Sequence, residues 1–311
     1  MNEMTMETRL EGVEHWTTKG AARLFLWRKI APQWAAQGAP RGVALFVHGS
    51  SMASQPTFDL HVPGRPWSSA MDWFAAKGFD TWCMDMEGYG RSTKDRGLRA
   101  TIAEGADDLE AAAAYIEGVA GAASMAVYGI SSGALRAAAF AERRPDRVSR
   151  LALDAYVWTG EGSPTLAQRR KKLEEFRAME RRPIDRAFVH SVFTRDHAGA
   201  AETKVVDAFA DAILSLDESM PTGTYVDMCA NLPLNDPAKL TMPTIVMRGE
   251  YDGIAGFDDL IAFFKALPNP DKQFTVMPGI SHASFQQKNY LMVYDILHGF
   301  WARTAPVYRG E

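Results

Sequence analysis

The stretch Met125-Ala126-Val127-Tyr128-Gly129-Ile130-Ser131-Ser132-Gly133-Ala134-Leu135 decides the fold. It opens as a short apolar run of strand length, passes through a turn of Gly and Ser, and continues into an Ala-rich stretch with helical propensity. The turn, Gly129-Ile130-Ser131-Ser132-Gly133, fits G-x-S-x-G, in which a tight strand-to-helix bend pushes a serine hydroxyl into the open. Such a bend strains the backbone and crowds the residues two before and two after the serine, so both must be small. Ser131 has Gly129 and Gly133 in those places, whereas Ser132 would have Ile130 and Ala134. A helix starting at Ser132 points its N–H groups and positive dipole end at the site, which favours an anionic intermediate.

On the N-terminal side, Arg23–Ile30 alternates as an early strand, and Val43–Val47 is a continuous apolar run, the mark of a strand covered on both faces. That run ends in His48-Gly49-Ser50-Ser51, where the glycine lets backbone approach a ligand and leaves the Ser50 N–H free to face an oxyanion. Trp67–Lys77 reads as a helix stopped by Gly78, Phe79–Met84 as the next strand, and Thr101 with Glu104 as a capping box opening a helix to about Gly118. Val148–Leu153 is another buried strand, ending at Asp154. Strand and helix in regular alternation predict a parallel sheet with helices on both faces.

The alternation breaks between residues 155 and 237, which read as charged helices over Leu166–Arg181, Ile184–Phe193 and Glu202–Leu216, with a shorter piece near Tyr225–Ala230 and no buried strand. It returns with a strand at Thr244–Met247, a helix over Phe257–Leu267, a strand at Gln273–Met277 and a last helix over Asn289–Arg303. The expected architecture is therefore α/β, a doubly wound and mostly parallel sheet. Its core is built from residues 1–154 and 238–311, and residues 155–237 are inserted as a helical cap over the Ser131 site.

Loops that follow the strands of a parallel sheet gather on one edge, where ligands bind. His48, Ser131, Asp252 and His282 all follow strands, and the order Ser131, Asp252, His282 is the triad order of the α/β-hydrolase fold. From about residue 40 onward the chain resembles an α/β-hydrolase with a helical cap. The resemblance is carried by His48-Gly49-Ser50, by Asp85-Met86-Glu87-Gly88-Tyr89-Gly90-Arg91-Ser92, by the Ser131 turn, by Gly249-Glu250-Tyr251-Asp252 and by Gly279-Ile280-Ser281-His282. It implies Ser131 as nucleophile, His282 as base and Asp252 as acid, with an oxyanion hole from the N–H groups of Ser132 and Ser50. The long segment Ser51–Pro66 departs from the simplest members and leaves open whether Ser50 or Ser51 donates. Asp154 also follows a strand and rivals Asp252 as the acid.

The chemistry requires such a set, because a free serine hydroxyl is a poor nucleophile and a neutral histidine must take its proton during attack. A buried carboxylate then fixes the histidine tautomer and stabilises the imidazolium. His48 is expected to support the oxyanion loop, and Asp85 and Glu87 to brace the turn-rich loop. The remaining histidines show no H-E-x-x-H spacing. No metal or cofactor is implied, since the triad and the hole supply nucleophile, base and charge stabilisation.

The substrate is expected to be a small molecule. Ser51, His190 and Met228 are candidate substrate contacts, with a solvent-facing place as the alternative for His190. Tyr156 and Trp158 either wall the pocket or pack the hinge. Trp158, Phe188, Phe193 and Met228 suggest an apolar or aromatic substrate, and the charge run Arg169–Glu175 reads as a solvated helix face. A net charge of −4 over 311 residues offers no case for a nucleic-acid or anionic-membrane partner. Met1–Glu14 holds no apolar signal core and no run is long enough to span a bilayer, so the cytoplasm is the expected compartment. Cys83 sits in an apolar run and predicts a core thiol rather than a disulfide with Cys229.

Three functions follow. The first is a serine hydrolase cleaving a carboxylic ester through an acyl-enzyme. The second keeps the triad on an amide, a lactone or a C–C bond. The third is a ligand-binding receptor with little turnover.

Overall fold

A computed structural model describes residues 9–307; residues 1–8 and 308–311, the two ends of the expected core, lie outside it. Strands β1 (Val13–Lys19) and β2 (Ala22–Lys29) form an antiparallel hairpin that turns through Gly20, whose φ of 57° suits glycine. Then come β3 (Val43–Val47), β4 (Asp80–Met84), β5 (Met125–Ile130) and β6 (Val148–Asp154). Every residue of β3, β4 and β5 is buried, because helices cover the sheet on both faces. After residues 155–243 the sheet is completed by β9 (Thr244–Gly249) and β10 (Lys272–Met277). The eight strands run in the order β1-β2-β4-β3-β5-β6-β9-β10 and are parallel from β4 to β10.

The helices between strands start where the sequence signals them. Thr101 caps Ile102–Ala120 in a full capping box with Glu104, and the helix ends at Gly121 (φ 69°), three residues beyond the expected stop. Ser69 accepts the Asp72 N–H and opens Ala70–Ala76, later than the Trp67 start the sequence suggests. Among the described residues no helix is long and apolar enough to cross a membrane.

Residues 155–243 are less helical than expected. The single helix foreseen over Leu166–Arg181 is two short ones, Pro164–Arg170 and Leu173–Ala178. A two-stranded antiparallel ribbon follows, β7 (Arg181–Pro183) against β8 (Ser219–Pro221). The cause is local: Pro183 and Pro221 push Arg182 and Met220 out of the helical region into extended backbone. Helices Arg186–Thr194 and Thr203–Leu214 pack on each other, and Gly223–Val226 runs into a widened turn at Asp227–Asn231. The two ends of the segment meet. The Tyr156 hydroxyl donates to Asn235 Oδ1 (3.1 Å), and the Trp158 indole N–H donates to the Asn235 carbonyl (3.2 Å).

Candidate active site

Ser131 sits between β5 and helix Ser132–Arg143 with φ 58° and ψ −126°, a conformation costly for a residue with a side chain. The surroundings hold it there. Its N–H donates to the Asp154 carbonyl at the end of β6 (2.9 Å). A Cβ added to Gly129 would fall 2.4 Å from the Gly133 carbonyl oxygen, and one added to Gly133 would fall 2.4 Å from that of Val47. Both flanking positions admit glycine alone without displacing backbone.

His282 and Asp252 arrive from the loops after β10 and β9. The Ser131 hydroxyl lies 3.0 Å from His282 Nε2, and His282 Nδ1 lies 3.1 and 3.2 Å from the two Asp252 carboxylate oxygens. A carboxylate can only accept, so Nδ1 carries the proton and Nε2 is left to accept from the serine. The Asp252 side chain is fully buried and also accepts the Ile254 N–H at 2.8 Å. Burial pushes its pKa upward, but His282, the Ile254 N–H and Arg195 outweigh it and hold the carboxyl below the usual range.

Asp154, the rival acid, is also fully buried but does not reach His282; the Tyr128 hydroxyl donates to its Oδ2 at 2.6 Å. Burial, with the Asp252 charge adding to it, pushes the Asp154 pKa up to about 7.

The backbone N–H groups of Ser50, Ser51 and Ser132 find no acceptor among the described residues. The Ser50 hydroxyl donates to Ser132 Oγ (2.6 Å) and fixes the two loops to each other. Ser51 shares a hydrogen bond with the Tyr225 hydroxyl (2.8 Å), linking the loop after β3 to the inserted segment. His48 is buried beneath that loop. Its Nδ1 donates to the Gly49 carbonyl (2.8 Å) and its Nε2 accepts the Met86 N–H (3.0 Å). Burial and then Arg136 lower its pKa to about 3, so it braces the loop as a neutral ring. Asp85 accepts from Ser54 and from the Arg91 N–H, and Glu87 pairs with Lys19 (3.1 Å), which ties the turn-rich loop to its neighbours.

A narrow pocket of about 20 Å³ surrounds Ser131, with Ser50, Ser51, His282, Val192, Arg169 and Arg195 in its wall. It adjoins a wider cleft of about 760 Å³ that shares Arg169 and Arg195 and contains Asp252, Phe176, Phe188 and Tyr225. Of the five expected substrate contacts, only Ser51 lies in either wall. Tyr156 and Trp158 instead pack against Phe263 and join the ends of the inserted segment, which is the hinge place left open by their sequence position. His190 is half-buried and faces Asp207 (3.1 Å) across the helix pair. Met228 is a buried core residue, because the widened turn at Asp227–Asn231 carries it inward.

The apolar lining expected from the sequence is represented by Phe188 but interrupted by arginines. Arg169, read as part of a solvated face, turns toward the cleft and stands over the Tyr225 ring. Arg195 carried no sequence signal. Among the described residues two groups bring three metal-type ligand atoms within 4.8 Å of one another. In Asp59, His61 and Asp72 the Lys29 ammonium bonds both carboxylates (2.6 and 2.8 Å). In Asp196, Asp252 and His282 the last two already bond each other, and the Asp196 side chain is nearly buried beside them.

The sheet order and the helices on both of its faces define the class: the chain is an α/β-hydrolase. It belongs to the Hydrolase_4 family, described as serine aminopeptidase, S33, whose match spans residues 38–289. A thermophilic esterase from Thermogutta terrifontis, solved with malate bound, shares the fold at 21% identity and a TM-score of 0.66, over 94% of this chain and 98% of that one. A hydrolase from Pseudomonas aeruginosa PA01 does so at 18% identity and TM-score 0.68, covering 93% and 98% of the two chains. The enol-lactonase from Burkholderia xenovorans LB400 matches at 17% identity and TM-score 0.67, over 93% and 100%. At these identities the likeness is one of fold. No match is found among curated protein sequences.

Proposed function

We propose that this chain is a serine hydrolase that cleaves carboxylic esters through an acyl-enzyme, with Ser131 as nucleophile, His282 as general base and Asp252 as the carboxylate that orients it. The observation that carries the reading is the unbroken run from the Ser131 hydroxyl to His282 (3.0 Å) and on to Asp252 (3.1 Å), assembled from three separate loops. His282 takes the serine proton as Oγ attacks the ester carbonyl, then returns it to the leaving alcohol; water repeats the cycle on the acyl-enzyme. The Ser132 N–H and that of Ser50 or Ser51 face the developing oxyanion, and each such donor is worth about 10²–10³ in kcat. Residues 155–237 act as a cap that roofs this chemistry and limits substrate size.

The test is fluorophosphonate labelling combined with a panel of p-nitrophenyl esters, anilides and lactones. Wild type should be labelled on Ser131 and turn over esters fastest. Ser131→Ala should lose the label and about 10⁶ in kcat while melting as wild type does. Label mapped to Ser132 or Ser51 would move the nucleophile, and faster turnover of anilides or lactones would change the bond.

A further inference from the structure

Three elements of the inserted segment each send one arginine to the space in front of Ser131. Arg169 comes from helix Pro164–Arg170, Arg182 from β7, and Arg195 from the end of helix Arg186–Thr194. Arg169 and Arg195 wall both the narrow Ser131 pocket and the wider cleft, and Arg182 walls the cleft. Arg169 and Arg182 are half-buried, and the Arg195 side chain is 22% exposed.

Half-buried cations normally meet a carboxylate or donate their N–H groups. Arg195 does so weakly, its Nε lying 3.5 Å from Asp196 Oδ1. Among the described residues the Arg169 and Arg182 guanidiniums have no ion pair and donate no hydrogen bond. They rest on aromatic faces instead, Arg169 5.0 Å over Tyr225, Arg182 4.2 Å over Phe188 and 5.2 Å from Tyr225. Burial, with Arg195 and Arg182 close by, lowers the pKa of Arg169 from its usual value, the sign of a cation short of counter-charge.

Of the other charged groups of the cleft wall, Asp196 keeps one carboxylate oxygen on Thr165 (3.3 Å) and near Arg195, while its buried Oδ2 has no hydrogen-bond partner among the described residues; the rest are engaged or open to water. Arg248 donates to the carbonyls of Ala255, Gly249 and Glu250, Glu250 accepts the Gly279 N–H, Asp252 holds His282, and Lys172 is exposed at the rim. Two unsatisfied guanidiniums with a third beside them, set against the nucleophile's pocket, present fixed forks of N–H donors that match a planar carboxylate.

We propose that the Ser131 site takes esters that carry a free carboxylate, held by Arg169, Arg182 and Arg195 while the ester carbonyl lies at Ser131. The inference rests on the hydrolase reading for its chemistry. It replaces the apolar or aromatic substrate expected from sequence with an amphipathic one, whose carbon skeleton lies along Phe176, Phe188 and Tyr225.

The test compares esters matched in size and differing in charge. Monoethyl suberate against ethyl octanoate places the carboxylate on the acyl side. 3-Acetoxybenzoate against 3-methylphenyl acetate places it on the leaving group. In at least one pair the anionic member should have the higher kcat/KM by about tenfold or more, the scale of a hydrogen bond to a charged group. In Arg169→Gln/Arg182→Gln that ratio should fall toward one. Equal or faster turnover of the neutral member in both pairs overturns the proposal, and so does a preference that survives in the double variant. If the double variant does not fold, the wild-type ratios still decide.

Calorimetric binding of monoethyl suberate to Ser131→Ala, with and without the arginine changes, reads the anion site without turnover. Fluorophosphonate labelling without any charge preference would sink the anion site alone. Arginine-dependent binding by a protein that is not labelled would sink the hydrolase reading alone.

Discussion

The ends of β6 and β9 lie side by side in the sheet, and each delivers a buried aspartate to the region of Ser131. Asp154 closes β6 and Asp252 sits in the turn after β9. By position either serves as the third member of a relay. Their partners separate them. Asp252 meets His282 and the Ile254 N–H, which favour the charged form. Asp154 meets the neutral hydroxyls of Tyr128 and Ser284 deep in the sheet, and burial outweighs them and pushes its carboxyl up to about 7. The comparison teaches that burial alone says nothing about the role of a carboxylate; the group that bonds it does.

The largest expected effect breaks the pair apart in activity. Asp252→Asn should lower kcat by about 10⁴, the loss seen when a triad carboxylate becomes an amide. Asp154→Asn should lower it by less than about tenfold, since its carboxyl makes no bond to the base. Ester kinetics on the two variants check this, and the reverse ranking would place the acid at the end of β6.

A smaller effect sharpens the Asp154 side. Tyr128→Phe removes the 2.6 Å hydrogen bond to its carboxyl and should cost about 1–3 kcal/mol of stability, read from denaturant midpoints, while ester turnover persists. The smallest is a slope. A carboxyl whose folded pKa lies near 7, well above the unfolded value of 3.8, keeps its proton in the folded state between those limits. Its contribution to stability therefore falls as pH rises from about 4 to 7. Asp252 has the opposite sign: its folded pKa is depressed, so its contribution is present above the unfolded pKa and lost as pH falls through the folded one. Melting temperatures of wild type and Asp154→Asn should therefore diverge with rising pH, the variant gaining relative stability up to about pH 7–8. Parallel curves would show that Asp154 ionises freely.

Much of the sheet was legible because its strands are short continuous apolar runs and both faces are covered, so Val43–Val47 and Met125–Ile130 carry the pattern without tertiary help. The turns at Ser131, Asp252 and His282 were legible for a related reason: backbone crowding and order along the chain restrict residue type there. The edge strand Val13–Lys19 was not, since its residues are largely exposed or half-buried and only its pairing with β2 makes it a strand. In the inserted segment the pattern misleads. Helical spacing runs through residues 166–181, yet Pro183 and Pro221 make a ribbon. Arg169 and Arg182 look like surface charge because their neighbours in sequence are charged; what turns them inward is Tyr225, more than forty residues on.

Asn235 has a bearing on how this chain can vary. By receiving Tyr156 and Trp158 it sets the far end of the inserted segment beside its beginning, and Pro243 then hands the chain to β9 through the bond its carbonyl accepts from the Leu151 N–H (2.9 Å). The gap is thus closed by the segment's own terminal residues, Tyr156, Trp158 and Asn235, together with the Leu151–Pro243 bond of the sheet. Closing a loop whose ends are already adjacent grows only slowly more expensive with length, about 0.6 kcal/mol for each doubling. Length is therefore weakly constrained between residues 159 and 234, while particular contacts inside that span are not free to change: Asp217 accepts the Gly90 N–H (2.9 Å) and Asp227 accepts the Ile102 N–H (2.8 Å), which ties the segment to the turn-rich loop and to the start of the helix at Ile102.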